Sequence, residues 1–126
     1  MARQLTVAAA QLGPIARDEP RASAVARLCN MMREAHAAGA ELVVFPELAL
    51  TTFFPRWYLQ DQHDVDRFFE TKMPNAQVQP LFDLAAQLGV GFYLGYAELT
   101  PQGHHFNTAV LVETHGTIVG KYRKVH

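Results

Sequence analysis

The sequence predicts an α/β protein, a mixed sheet layered with helices. Two observations carry that prediction. Short apolar runs alternate with segments whose apolar residues recur every three or four positions, and Gly or Pro closes almost every segment. A third observation is a pair of β-rich runs on either side of Thr114-His115-Gly116, the pattern of a hairpin. Alternation of this kind implies early strands joined by right-handed helical crossovers. No internal repeat, low-complexity tract or linker divides residues 1–126.

The elements follow in order. Leu5-Thr6-Val7-Ala8-Ala9-Ala10-Gln11-Leu12 is an apolar run closed by Gly13-Pro14, and reads as a buried strand. Pro20 suits the first turn of a helix, and Val25, Leu28, Cys29, Met32 and Ala35 then mark one buried face. Gly39 is placed to end that helix in a left-handed conformation. Leu42-Val43-Val44-Phe45 is the second strand, stopped by Pro46. Residues 48–62 are rich in Phe, Pro and Trp without a clean period, so an ordered loop over the strand ends is expected, then a short helix over 64–70. Pro80 starts a helix with Leu81, Leu84, Ala85 and Leu88 on one face and Gly89 as its cap. Residues 90–96 form the third strand; 106–112 and 117–122 form the hairpin.

Composition narrows the class. With 126 residues, 49% apolar and 18% charged, the chain has the make-up of an ordinary globular domain. A net charge of −1 supplies no field to recruit nucleic acid or an anionic membrane. No apolar run reaches membrane-spanning length and the start lacks the apolar core of a secretory signal, so a cytoplasmic location is expected. A single cysteine excludes an internal disulfide and a multi-Cys zinc site. The chain ends on Gly120-Lys121-Tyr122-Arg123-Lys124-Val125-His126, directly after a strand and without a polar tail, as expected of a domain that continues.

Few residues are candidates for chemistry. Glu47 follows Phe45-Pro46 at the carboxyl end of a strand, the edge where open α/β sheets bind ligands. Apolar neighbours there would desolvate its carboxyl and suit it to general-base work; the plainer alternative is a capping or ion-paired glutamate. Lys124 lies beside Lys121 and Arg123, which by themselves describe a solvated basic edge strand. An active-site lysine would have to point the other way from these neighbours, and strand alternation alone leaves that open. Cys29 sits mid-helix at apolar spacing and reads as a buried, inert thiol. The six histidines show no metal-ligand spacing, and His104-His105 falls in an expected solvent-facing turn. Gly89, Gly91 and Gly95 run from a helix into a strand, the reverse of a nucleotide-binding loop.

Motifs in combination say more than single residues. Val43-Val44-Phe45-Pro46-Glu47-Leu48, Gly95-Tyr96-Ala97-Glu98, Phe106-Asn107-Thr108-Ala109 and Gly120-Lys121-Tyr122-Arg123-Lys124-Val125-His126 occur in that order. Together they resemble the nitrilase (carbon–nitrogen hydrolase) superfamily, over nearly the whole chain from Arg3 onward. Within it, Phe45-Pro46-Glu47-Leu48-Ala49-Leu50-Thr51-Thr52-Phe53-Phe54-Pro55-Arg56-Trp57 is most similar to the N-carbamoyl-D-amino-acid amidohydrolases, the D-carbamoylases.

The resemblance implies an α-β-β-α sandwich of two sheets, with residues 1–126 as the N-terminal portion of a single domain. It implies a Glu–Lys–Cys triad in which Glu47 is the general base and acid and Lys124 stabilises the oxyanion. The triad cysteine lies downstream of the lysine in this family, so the nucleophile is not in this chain; Cys29 does not match it. The chain alone is therefore expected to be inactive. Implied too are an N-carbamoyl-D-amino acid substrate, no metal or organic cofactor, no nucleic-acid or membrane partner, and a homo-oligomer (dimer or tetramer) when complete. Phe53, Phe54 and Trp57, with Pro55, would wall the substrate pocket, or equally form a rigid packing loop. The rival readings are a non-catalytic α/β binding or assembly module, another amidase of the superfamily, and an enzyme split into two reassembling chains.

Overall fold

The computed structural model describes residues 2–125; His126, the last residue of the fourth motif, lies outside the described residues. Among the described residues, five strands and three helices follow one another as β1 (Val7–Ala9), α1 (Arg21–Ala37), β2 (Leu42–Val44), α2 (Gln62–Asp66), α3 (Gln79–Leu88), β3 (Gly91–Leu99), β4 (His105–Val112) and β5 (Ile118–Arg123), with a 3-10 turn at Phe54–Arg56. The strands form one sheet in the order β1-β2-β3-β4-β5. β1, β2 and β3 are parallel, whereas β3–β4 and β4–β5 are antiparallel. The fold is thus mixed α/β, as the alternation of patterns predicts.

Both long helices cover the same face of the sheet. Val25, Leu28, Cys29 and Met32 of α1 and Leu81, Phe82, Leu84 and Ala85 of α3 share one core with Val43, Phe92, Leu94 and Val110 of the strands. Phe92 is the hub: its ring meets Phe45 at 6.1 Å and Phe82 at 5.1 Å, both edge-on. Each such side chain contributes roughly 1.5–3 kcal/mol by leaving water, which is why the apolar spacing in α1 and α3 decides which way they face. The left-handed Gly89 (φ 68) ends α3 and turns the chain directly into β3, as its position predicts.

Several expectations need correction. The eight-residue first strand shrinks to three, because only Val7–Ala9 find partners on the equally short β2. β1 is also an edge strand, with Leu5 and Val7 about half exposed, so it is not buried on both sides. The short helix is Gln62–Asp66 rather than 64–70; the Asp61 carboxylate accepts the His63 N–H at 2.9 Å and starts it early. His105 opens β4 and is not part of the turn.

Among the described residues, no helix covers the second face of the sheet. Pairing puts Val7, Leu42, Tyr93, Leu111, Gly120 and Tyr122 on it, and Val7, Tyr93, Leu111 and Tyr122 are all exposed. One irregularity controls the end of β5. Val112 pairs with Ile118 but Leu111 pairs with Gly120, so Val119 is an extra residue. Strand alternation is reset there: Ile118, Lys121 and Arg123 face the helices, while Gly120, Tyr122 and Lys124 face the open side.

Candidate active site

Glu47 is held by backbone on both sides. The Phe45 N–H donates to the Tyr93 carbonyl at 2.9 Å and the Ala49 N–H to the Gly95 carbonyl at 2.9 Å, so residues 46–48 lie across the middle of β3. They lie very close to it. A Cβ on Gly95 would come within 2.9 Å of the Glu47 Cα and of the Pro46 carbonyl oxygen, and 3.1 Å of the Leu48 nitrogen. Gly95 is therefore the seat of the Glu47 loop, and the loop's sharp turn is completed by Leu48 in a left-handed conformation (φ 48).

Lys124 reaches the same place on the open face from the end of β5. Its N–H donates to the Asn107 carbonyl at 2.8 Å, extending the β4–β5 pairing, and its Nζ donates to Glu47 Oε1 at 2.8 Å. The Asn107 Nδ2 donates to the same oxygen at 2.6 Å. Hydrogen bonding to Glu47, and then the carboxylate's charge, hold the Lys124 ammonium above the usual lysine range. It is thus a permanent cation at neutral pH, suited to stabilising an oxyanion. The side chains of Glu47 and Lys124 are 43% and 48% exposed. The expected desolvation of Glu47 is not met among the described residues, because the loop opens on the uncovered side of the sheet.

Lys121 and Arg123 turn the other way, onto Glu98. This carboxylate accepts from Lys121 Nζ, from Arg123 Nε at 2.8 Å and Nη2 at 3.2 Å, and from Thr108 Oγ1 at 3.0 Å. Burial would raise its pKa, but hydrogen bonds from Arg123, Lys121 and Thr108 outweigh it and hold the group at about 2. Glu98 thereby clamps β5 from the helix side while Lys124 points to Glu47.

Two grooves meet at the pair. One, of about 350 Å³, is walled by Phe53, Phe54, Pro55, Phe69, His105 and Phe106. The other, of about 480 Å³, lies on the open sheet face against Tyr93, Gly95, Ala109 and Tyr122. Phe53 is half exposed on the first groove, whereas Phe54 is mostly a packing residue, stacked on Phe68 at 5.1 Å. Trp57 is not among the residues lining either groove; it lies under the guanidiniums of Arg56 and Arg17, at 4.9 and 5.4 Å. His105 Nε2 donates to Asp66 Oδ1 at 2.7 Å and the ring packs edge-on against Phe69, so it belongs to the groove wall while His104 faces solvent.

Cys29 stands apart from the pair, buried in the helix-side core, and burial pushes its thiol pKa up. Asn107 is the site residue the sequence reading did not single out. A signal existed, since Asn is a poor strand former and its place in mid-strand calls for another reason. Among the described residues, no group of three or more His, Cys, Asp or Glu is arranged to hold a metal ion, and no helix is long and apolar enough to cross a membrane.

A mixed α/β sheet thus brings a carboxylate and an ammonium together at its strand ends. Residues 6–126 match the carbon–nitrogen hydrolase family, and the chain belongs to it. It is 26% identical over 102 residues to omega-amidase NIT2 of Homo sapiens, covering 81% of this chain and 34% of that protein. It is 30% identical over 105 residues to N-carbamoylputrescine amidase of Arabidopsis thaliana, covering 81% and 33%. The chain thus spans about a third of the length of these curated relatives. Among solved structures, Saccharomyces cerevisiae Nit3, of the nitrilase superfamily, superposes with a TM-score of 0.77 at 22% identity over 97% of this chain and 44% of that one. A carbon–nitrogen hydrolase of Helicobacter pylori gives 0.76 at 24% identity, over 97% and 40%.

Proposed function

We propose that this chain is the amino-terminal part of a hydrolase that splits N-carbamoyl-D-amino acids into D-amino acid, carbon dioxide and ammonia. The observation that carries the reading is the convergence of Lys124 Nζ and Asn107 Nδ2 on Glu47 Oε1. The stretch Thr51-Thr52-Phe53-Phe54-Pro55-Arg56-Trp57 directly after it supports the D-carbamoylase branch.

A carbamoyl group is a poor electrophile, so two steps through a covalent intermediate lower each barrier. The nucleophile is a thiol supplied from outside residues 2–125, packed onto the open sheet face beside the pair. Glu47 takes the thiol proton as sulfur attacks the carbamoyl carbon, and Lys124 steadies the oxyanion. Glu47 then returns that proton to the departing nitrogen, releasing ammonia and leaving a thiocarbamate. Water, deprotonated by Glu47, displaces the thiol; the N-carboxy amino acid that results loses carbon dioxide. No step requires a metal or organic cofactor. The exposed apolar row on the open face supports its burial by further protein, in a larger chain or a homo-oligomer.

The relatives favour a second reading, an amidase acting on another linear amide. The test is ammonia release by the protein made from its native gene, offered N-carbamoyl-D-amino acids, their L forms, N-carbamoylputrescine and an ω-amide. Preferential release from the D-carbamoyl substrates is expected, with Glu47→Gln and Lys124→Ala each lowering kcat by roughly a hundredfold or more. Release from the other amides but not from these overturns the substrate; no release from any overturns the reaction.

A further inference from the structure

One side chain outside the pair is bound to both of its members. Asn107 Nδ2 donates to Glu47 Oε1 at 2.6 Å, and the Asn107 carbonyl accepts the Lys124 N–H at 2.8 Å. The main-chain bond sets where β5 leaves the sheet, and hence where the Lys124 side chain begins. The side-chain bond sets the rotation of the carboxylate that Lys124 then meets at 2.8 Å.

Neither partner is well placed to hold this geometry unaided. Both side chains are more than two-fifths exposed, and an exposed ion pair between long side chains is a weak constraint. Asn107 differs: it is short, partly buried, and sits on a strand paired on both sides, with Ala97 opposite on β3. Resting on the reading of Glu47 and Lys124 as the reacting pair, we propose that Asn107 is the positioning residue for both. Its amide orients the carboxylate, and its carbonyl registers the strand end that carries the ammonium.

The test uses Asn107→Ala and Asn107→Ser, in which the donor is lost or falls short of Glu47 while the main-chain bond stays. In protein from the native gene, kcat for ammonia release falls about a hundredfold with KM within about twofold, the size of effect that a misplacement near 1 Å produces. In the same protein, nitrogen NMR of the Lys124 ammonium gives a second readout that needs no substrate. Its titration midpoint, held up by Glu47, falls in both variants at least halfway towards its value in Glu47→Gln. An Asn107 that only supports the fold lowers the melting temperature and leaves that midpoint alone. An unchanged midpoint in both variants overturns the proposal, whatever the rate does. If the wild-type protein hydrolyses no amide, the hydrolase reading fails, and the midpoint still decides the role of Asn107.

Discussion

Replacing Gly95 by alanine should unseat the Glu47 loop. The added Cβ lies 2.9 Å from both the Glu47 Cα and the Pro46 carbonyl oxygen, whereas ordinary contact begins at 3.4 Å. The loop must therefore retreat by the difference, about 0.5 Å, and its neighbours are backbone atoms that cannot swing aside. Overpacking of this kind costs roughly 1–3 kcal/mol. Losing the Ala49–Gly95 hydrogen bond adds about 1 kcal/mol. Alanine's lower entropy in the unfolded chain gives back roughly 0.5 kcal/mol. The net loss of about 1.5–3.5 kcal/mol lowers the melting temperature by about 6–14 °C, at about 4 °C per kcal/mol for a domain of this size. Gly120→Ala is the matched control: its Cβ would meet only the Leu111 Cβ at 3.5 Å, so its melting temperature should be level or slightly higher. Thermal unfolding followed by circular dichroism compares them. A Gly95→Ala protein melting within about 2 °C of Gly120→Ala would refute the close seating of the loop on β3.

Three further outcomes follow from the same geometry. The folded-state pKa of Glu98, about 2, lies below its ordinary 4.5, so the stability it contributes is complete above pH 4.5 and is lost as pH falls towards 2. Urea midpoints measured from pH 2 to 7 should show this acid slope, flattened in Glu98→Gln, which also costs about 2 kcal/mol at pH 7; identical slopes would contradict the clamp on β5. Cys29 should resist thiol reagents at pH 8 until the protein unfolds, because burial raises its pKa. Its replacement by alanine should cost about 1 kcal/mol, and rapid labelling of the folded state would overturn its placement in the core. Finally, Phe53→Ala should raise KM about tenfold, as expected when an apolar wall is removed from a substrate, whereas Trp57→Ala should leave KM within about twofold; equal effects would place Trp57 in the pocket after all.

Much of this molecule is legible in its sequence. The apolar spacing of Val25, Leu28, Cys29 and Met32, and of Leu81, Leu84 and Ala85, specifies which helix faces are buried. Gly89 marks a helix end, and Thr114-His115-Gly116 marks the hairpin, since these are local consequences of backbone freedom and side-chain periodicity. Order and motif also place Glu47 at a strand end, and with the resemblance they indicate a carbon–nitrogen hydrolase.

What local sequence could not specify is direction across the sheet. Uninterrupted alternation from Ile118 would turn Lys124 towards the helices; the extra residue Val119 opposite β4 reverses that and brings its ammonium to Glu47. Such a bulge exists only in the pairing of two strands, so neither strand encodes it alone. The same holds for Gly95 and Asn107. The task of each becomes definite only when strands pair: β2 against β3 sets the Glu47 loop over Gly95, and β4 against β3 brings the Asn107 amide to its carboxylate. Sequence determined the groups and their order, because those follow from short-range chemistry. Tertiary structure decided which of them meet, because contact between residues 47, 107 and 124 depends on strand pairing between distant parts of the chain.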